Sequence, residues 1–239
     1  MNSAADFFVV LVEPKYGGNV GAVARSMMNF DLNKLYLIKP CKLDDECYNR
    51  AMHAHPILDD ARIFSSLKDI AQNLDYLVAT SSVSTTTEKK YLRNAVYLQD
   101  FTKKISNING KIGLVFGRED YGLYNREIAQ CDMLVKIPSS DQYPSLNLSH
   151  AVNLALYELY ASKDSLTKTK RMLDGIEKEK LNTFFSDLLN EIQYPEHKKK
   201  KTKVMFRRVI GRVILSKWEY HTFMGVLSGT LKKIRKKIR

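Results

Sequence analysis

Asn19 and Arg25 lie six residues apart behind a glycine-rich turn, PKYGGNVGAVAR, so Asn19 falls near a helix entrance and Arg25 up to two turns further in. Gly117, Arg118 and Glu119 follow an apolar run, and Ser145, Leu146 and Asn147 stand directly ahead of a helical pattern. Unpaired backbone N–H groups and short polar side chains at such a place can hold a small polar ligand. Thr80, Ser81 and Ser82 close a further apolar run with hydroxyls. In an open parallel sheet the carboxyl ends of the strands line the ligand crevice, which would gather these groups in one place. Each also has a plain alternative. Asn147 or Ser149 serves as an N-cap, Arg118 and Glu119 form an ordinary ion pair, Thr80 and Ser81 begin a loop, and Arg25 is a surface arginine facing a neighbouring acid.

The elements that must position these groups can be read from the apolar pattern. Phe7 to Glu13, FFVVLVE, is a continuous β-favouring run suited to a parallel strand buried on both faces. It feeds the turn containing Gly17, Gly18 and Gly21, whose spacing matches neither the dinucleotide fingerprint nor the phosphate loop. Leu35 to Ile38 reads as a second strand, Asp75 to Ser82 as a third, and the start of Lys111 to Leu123 as a fourth, with Gly117 letting a ligand approach the backbone. Arg50 to Pro56 reads as a short helix whose histidines are packing or surface groups, and Ser66 to Asn73 as another helix. Met133 to Ile137 ends an apolar run, and a polar loop then leads to Ala151, Leu154, Ala155, Tyr157, Leu159 and Tyr160 at three- and four-residue spacing. Strands alternating with helical patterns predict an α/β domain with a parallel sheet.

The composition narrows the setting. At 239 residues the chain can bury a substantial core, read here as one larger α/β domain and a smaller appendage. The apolar run near the start is short and closed by Glu13, so neither a signal peptide nor a membrane span is expected, and the protein is expected in the cytoplasm. The three cysteines, Cys41, Cys47 and Cys131, form no CxxC pair and suit reduced thiols. Cys41, Cys47, His53 and His55 cluster loosely, but their spacing argues against zinc and no metal is expected. Charge is uneven. From His197 to the end, 15 of the 38 Lys and Arg stand against one of the 26 acids, Glu219. That tail carries all the excess positive charge, which makes nucleic acid the leading partner. It also carries the helical spacing of Phe206, Val209, Ile210, Val213 and Ile214, after an amphipathic pattern through Leu181, Phe184, Phe185, Leu188 and Leu189.

Three blocks can then be set side by side: NVGAVAR (Asn19 to Arg25), FGREDYGL (Phe116 to Leu123) and IPSSDQYPSLNLSHAVNLALYE (Ile137 to Glu158). In this order and spacing they resemble the three motifs of the SPOUT class of RNA ribose 2′-O-methyltransferases, of the TrmH and TrmJ type. The resemblance covers about the first 160 residues, and the basic tail more loosely resembles the helical extension of the TrmJ branch. It implies a parallel sheet whose C-terminal segment forms a trefoil knot, a feature that periodicity alone would never suggest. The implied units are a methyltransferase domain over 1–162, a linker over 163–180 and a basic helical RNA-binding extension over 181–239.

The resemblance also implies S-adenosylmethionine as cofactor, tRNA as substrate, and a homodimer. Thr80, Ser81, Ser82, Gly117, Ile137, Ser145, Leu146 and Asn147 resemble the cofactor shell, with Ile137 and Leu146 against the faces of the adenine. Arg25 resembles the arginine that acts on the ribose hydroxyl, and Asn19, Glu119, Ser145 and Asn147 resemble the residues that orient it and the substrate. Two versions of that role stay open. Arg25 is deprotonated in a special environment, or it stabilises the developing alkoxide while phosphate or water takes the proton; a guanidinium pKa above about 12 favours the second. Arg118, Lys198, Lys199, Lys200, Lys201, Arg207, Arg208 and Arg212 are the residues expected to meet RNA. The implied activity is 2′-O-methylation of tRNA nucleotide 32, with an rRNA methyltransferase or a non-catalytic RNA-binding protein of the same fold as alternatives. One departure is that the loop SSVSTTTEKK lacks the arginines that relatives often carry there.

Overall fold

The computed structural model describes residues 5–83, 94–105, 110–162, 173–213 and 215–238. Most of the SSVSTTTEKK loop, and with it Lys89 and Lys90, lies outside the described residues. Among the described residues, seven strands form one parallel sheet in the order β3-β2-β1-β6-β4-β7-β5. They are β1 (Asp6–Val12), β2 (Leu35–Ile38), β3 (Arg62–Phe64), β4 (Tyr76–Ser81), β5 (Val96–Tyr97), β6 (Lys111–Phe116) and β7 (Met133–Lys136).

Central position explains the composition of β1. It pairs with β2 on one side and β6 on the other, and Val9, Val10, Leu11 and Val12 are all buried. A strand covered on both faces cannot alternate polar with apolar, so it reads as an unbroken run. The register sets β1, β6, β4 and β7 side by side, with Leu11 opposite Phe116, Ala79 opposite Val115 and Ser81 opposite Lys136. The carboxyl ends of these strands therefore open at one edge.

Helices cover both faces. α1 (Gly17–Asn29), α2 (Asp45–Ala51), α3 (His55–Asp59), α5 (Leu98–Ile105) and α7 (Leu148–Ala161) contribute to one core, with Val20, Val23, Met27, Phe101, Val152 and Leu156 buried in it. α4 (Leu67–Ala71) and α6 (Asn125–Ile128) close the other through Ile70 and Ile128. The glycines after β1, read from the sequence as a turn, are helical. They lie within α1, and a Cβ on Gly21 would sit 1.9 Å from the Cys47 carbonyl oxygen of α2. Gly21 therefore permits helix packing rather than ligand approach. The single helix expected over Arg50 to Pro56 is instead the end of α2, a 3₁₀ turn at Met52–Ala54, and the start of α3.

The C-terminal extension has three helices, α8 (Gly175–Glu191), α9 (Glu196–Val213) and α10 (Lys217–Ile238), around a small core of Leu173, Leu181, Ile210, Leu215, Tyr220 and Leu227. Phe185 and Phe206 stack with centroids 3.9 Å apart. The helix α8 begins inside the stretch expected as a linker, and its start is tied to the sheet domain. The Gly175 N–H donates to Asp75 at 2.7 Å, and buried Lys178 pairs with buried Asp132 at 2.5 Å. Asp132 also accepts from the Leu77 N–H at 2.9 Å, so sheet and extension share one carboxylate.

Candidate active site

The turn after β6 carries the first half of the site. Gly117 comes so close to the returning chain that a Cβ would lie 2.1 Å from the Gly122 carbonyl carbon, so no other residue fits without moving backbone. Arg118 and Gly122 then close the turn with reciprocal backbone hydrogen bonds of 3.2 and 2.9 Å. The Arg118 side chain points inward. Its Nη1 and Nη2 donate to Glu127 at 3.0 and 2.9 Å, and its Nε donates to Glu13 at 2.8 Å.

That geometry corrects one expectation. Arg118 is 5% exposed and holds two carboxylates, so it braces the turn and is not presented to RNA. The Glu127 carboxylate raises the Arg118 pKa further above its ordinary range, and the Arg118 hydrogen bond lowers that of Glu13 below the usual 4.5.

With Arg118 turned inward, Glu119 faces the start of α1. Its carboxylate accepts the Lys15 N–H at 3.0 Å, the Tyr16 N–H at 3.4 Å and the Asn19 Nδ2 at 2.9 Å. Asn19 Oδ1 in turn accepts from Asn147 Nδ2 at 3.1 Å. Asn147 Oδ1 caps α7, accepting from the Ser149 N–H at 2.9 Å and the Ser149 hydroxyl at 2.7 Å. Capping does not exhaust Asn147, because its oxygen serves the helix while its nitrogen serves Asn19. A carboxylate that can only accept fixes the orientation of both amides along the chain.

The remaining residues fall into two groups. Ile137 is buried and Leu146 is packed partly buried on the same core, giving apolar surface at each end of the β7-to-α7 loop. Ser145 is exposed within that loop, and Ser139 Oγ braces it by donating to the Pro144 carbonyl at 2.9 Å. At the end of β4 the hydroxyls are already engaged. Thr80 Oγ1 donates to the Val115 carbonyl at 2.9 Å, and Ser81 Oγ to that of Val83 at 2.8 Å. Their protons are therefore committed, and a ligand there would meet these hydroxyls only as acceptors. Arg25 is exposed on α1 and is not part of the Glu119–Asn19–Asn147 chain; six residues of helix turn it about 120° from Asn19.

Charges in the extension divide similarly. Lys198, Lys200 and Lys201 are exposed on α9, and Lys199 pairs with Glu196. Arg207 pairs with Glu179 at 2.8 Å and lies 3.7 Å from Asp132, and Arg212 is half-buried. Arg208 is a second correction. It is 5% exposed beneath α9, where its burial lowers its pKa, so it supports docking of the helix and not RNA contact. Sequence reasoning also missed Lys15 and Glu13, whose partners Glu119, Asp120 and Arg118 lie more than 100 residues away. Among the described residues no group of three or more His, Cys, Asp and Glu is placed to hold a metal ion, and no helix is long and apolar enough to cross a membrane.

Comparison with known proteins agrees with this geometry. The sequence profile of the SpoU rRNA Methylase family matches residues 6–157. The tRNA (cytidine-2′-O-)-methyltransferase TrmJ of Methanocaldococcus jannaschii is 39% identical over 222 residues, covering 91% of this chain and 96% of that protein. The crystal structure of TrmJ from Z. mobilis ZM4 superposes with a TM-score of 0.73 at 25% identity, covering 93% of this chain and 98% of the other. The SpoU methyltransferase AviRb from Streptomyces viridochromogenes, solved in complex with the cofactor AdoMet, shares the fold with a TM-score of 0.55 at 22% identity, over 67% of this chain and 62% of its own. The fold is the parallel-sheet α/β fold of SpoU methyltransferases such as TrmJ, with a helical extension. The chain belongs to the SpoU rRNA Methylase family.

Proposed function

We propose that this protein is an S-adenosylmethionine-dependent tRNA ribose 2′-O-methyltransferase, acting on nucleotide 32 at the start of the anticodon loop as a homodimer in the cytoplasm. The observation that carries the reading is the hydrogen-bonded chain Glu119–Asn19–Asn147, which joins residues from all three motif blocks at the open edge of the sheet. Similarity to TrmJ over nearly the whole chain, extension included, supports tRNA over rRNA.

The residues fit the cofactor. Ile137 and Leu146 offer apolar walls for a heterocycle, and the irregular 138–147 backbone between them offers polar groups for its edge. When bound, the cofactor supplies a methyl group on a sulfonium. This chain's part is positioning: transfer to a hydroxyl needs the ribose oxygen in line, and an oriented bound pair gains most of its advantage from that placement. Asn19 and Asn147 are held rigidly enough to serve, since each amide is fixed at both ends. Arg25, exposed and not held by that chain, supplies positive charge to the developing alkoxide. The exposed lysines 198, 200 and 201 add phosphate contacts that set register without reading sequence. Exposed Leu154 and Tyr157 on the outer face of α7 are the candidate subunit contact.

The test is transfer of a labelled methyl group from S-adenosylmethionine to unmodified tRNA by the purified protein. Label in a 2′-O-methylnucleotide is the expected result; no transfer to tRNA refutes the reading, and transfer to rRNA alone favours the alternative substrate.

A further inference from the structure

Tyr16 and Tyr121 are 58% and 70% exposed, and both are carried by the backbone segments that carry the polar network. Tyr16 directly precedes α1, and its N–H donates to Glu119. Tyr121 lies at the tip of the Arg118-to-Gly122 turn. That turn is held by its two backbone hydrogen bonds, by a 3.3 Å bond from Arg118 Nη1 to the Gly122 carbonyl, and by Gly122 at φ +62°. Its three tip side chains diverge. Glu119 holds Asn19, Asp120 pairs with the Lys15 ammonium, and Tyr121 stays open to solvent with that ammonium 5.6 Å from its ring centroid. Tyr124, by contrast, is already engaged, with the Arg118 and Arg126 guanidiniums 4.1 and 5.2 Å from its ring centroid.

Large aromatic rings left in water on rigid backbone beside a catalytic centre call for a partner with π faces. Lys15 is matched by Asp120, and Arg118 by Glu13 and Glu127, so the cations nearest Tyr16 and Tyr121 are already paired. At this tip the two rings are the groups left open to meet RNA. Unstacked RNA bases splayed from a loop are recognised in this way, and stacking tolerates any base. We propose that Tyr121 and Tyr16 are positioning residues that stack on the bases flanking the target nucleotide and hold its ribose against the Asn19 and Asn147 amides. The proposal rests on the tRNA methyltransferase reading above.

Tyr121→Ala, Tyr16→Ala and Tyr121→Phe would be compared with the wild-type protein for tRNA affinity, kcat/KM, S-adenosylmethionine affinity and melting temperature. Ile63→Ala, at an exposed position on the sheet edge strand β3, serves as the control. Each alanine variant should lower kcat/KM for tRNA about ten-fold, in line with loss of one base–aromatic stack. The phenylalanine variant should stay within about two-fold, and cofactor affinity and melting temperature should not change. A tRNA with abasic positions beside the target should erase the difference between Tyr121→Ala and wild type.

Wild-type kcat/KM in Tyr121→Ala, or a loss in it that abasic tRNA does not erase, overturns the stacking role while the methyltransferase reading stands. A shift of Tyr121→Ala from dimer to monomer also overturns it, placing the ring in a subunit contact. If the wild-type protein transfers no methyl group to tRNA, both readings fall.

Discussion

Asn19 Nδ2 donates to Glu119 Oε1 at 2.9 Å across 100 residues of sequence. The same amide accepts from Asn147, so a single side chain ties the turn after β6 to the first residue of the β7–α7 helix cap. Glu119 does not merely neutralise a cation here; it orients a neutral amide, which then orients a second.

Asn19→Ala breaks both links and leaves Glu119 with the two backbone N–H groups of Lys15 and Tyr16. Because Asn19 is only partly buried, the loss should appear in rate more than in stability: about 100-fold in kcat, as for a misplacement of about 1 Å, with melting temperature nearly unchanged. Steady-state kinetics beside a thermal melt separates the two. A kcat within a few-fold of wild type would remove Asn19 from the site.

Arg118→Met should unfold the protein more readily. It leaves Glu127, 8% exposed, without its bidentate partner, and removing one member of a buried ion pair typically costs about 3–5 kcal/mol. Urea unfolding measures this. The pair of Arg118 with Glu13 sets an acid response. The pKa of Glu13 is lowered in the folded state by the Arg118 hydrogen bond, so its contribution is complete above the ordinary value of 4.5 and is lost as pH falls through the lowered value. Glu13→Gln should therefore destabilise at neutral pH and flatten the decline in stability below pH 4.5.

Gly21→Ala adds a methyl 1.9 Å from the Cys47 carbonyl oxygen, which is backbone and cannot swing aside. α1 and α2 must separate, at about 1–3 kcal/mol or more for an overpacked contact. Since α1 begins at Asn19's end of the site, kcat should fall along with the unfolding midpoint. Unchanged stability would show that the two helices pack less closely than described.

Neutralising Lys198, Lys200 and Lys201 tests the extension more cleanly than deleting 197–239, because deletion also removes Ile210 and Leu227 from its core. The triple alanine variant should weaken tRNA binding and lower the slope of log affinity against log salt by up to about 3. Filter binding across a salt series reads the slope, and an unchanged slope would make these charges incidental.

The parts of this protein legible from sequence are those whose signal is local. The continuous apolar runs of β1 and β7 and the spaced apolar residues of α7 record their own surroundings. β3 and β5 do not. β3 has three residues, with Ile63 exposed at 65%, and β5 has two, so neither offers a pattern long enough to read. Arg118 shows the limit for site residues. An arginine after a strand-ending glycine looks the same whether it faces RNA or Glu127 and Glu13, and only the fold decides between them. Arg208 failed for a similar reason, since a basic helix does not announce which of its cations face the sheet domain. Asn147 was legible as a cap, and its amide nitrogen is left to meet Asn19 because capping uses only the oxygen.

The central claim is ribose methylation of tRNA at the site built around Asn19, Glu119 and Asn147. Its most direct test is nuclease digestion and mass spectrometry of tRNA incubated with S-adenosylmethionine and either wild-type protein or Arg25→Ala. The account predicts one 2′-O-methyl group, at nucleotide 32, with wild type, and none with Arg25→Ala although that variant still binds cofactor. A methyl group on a base, or an undiminished 2′-O-methyl product with Arg25→Ala, would contradict it.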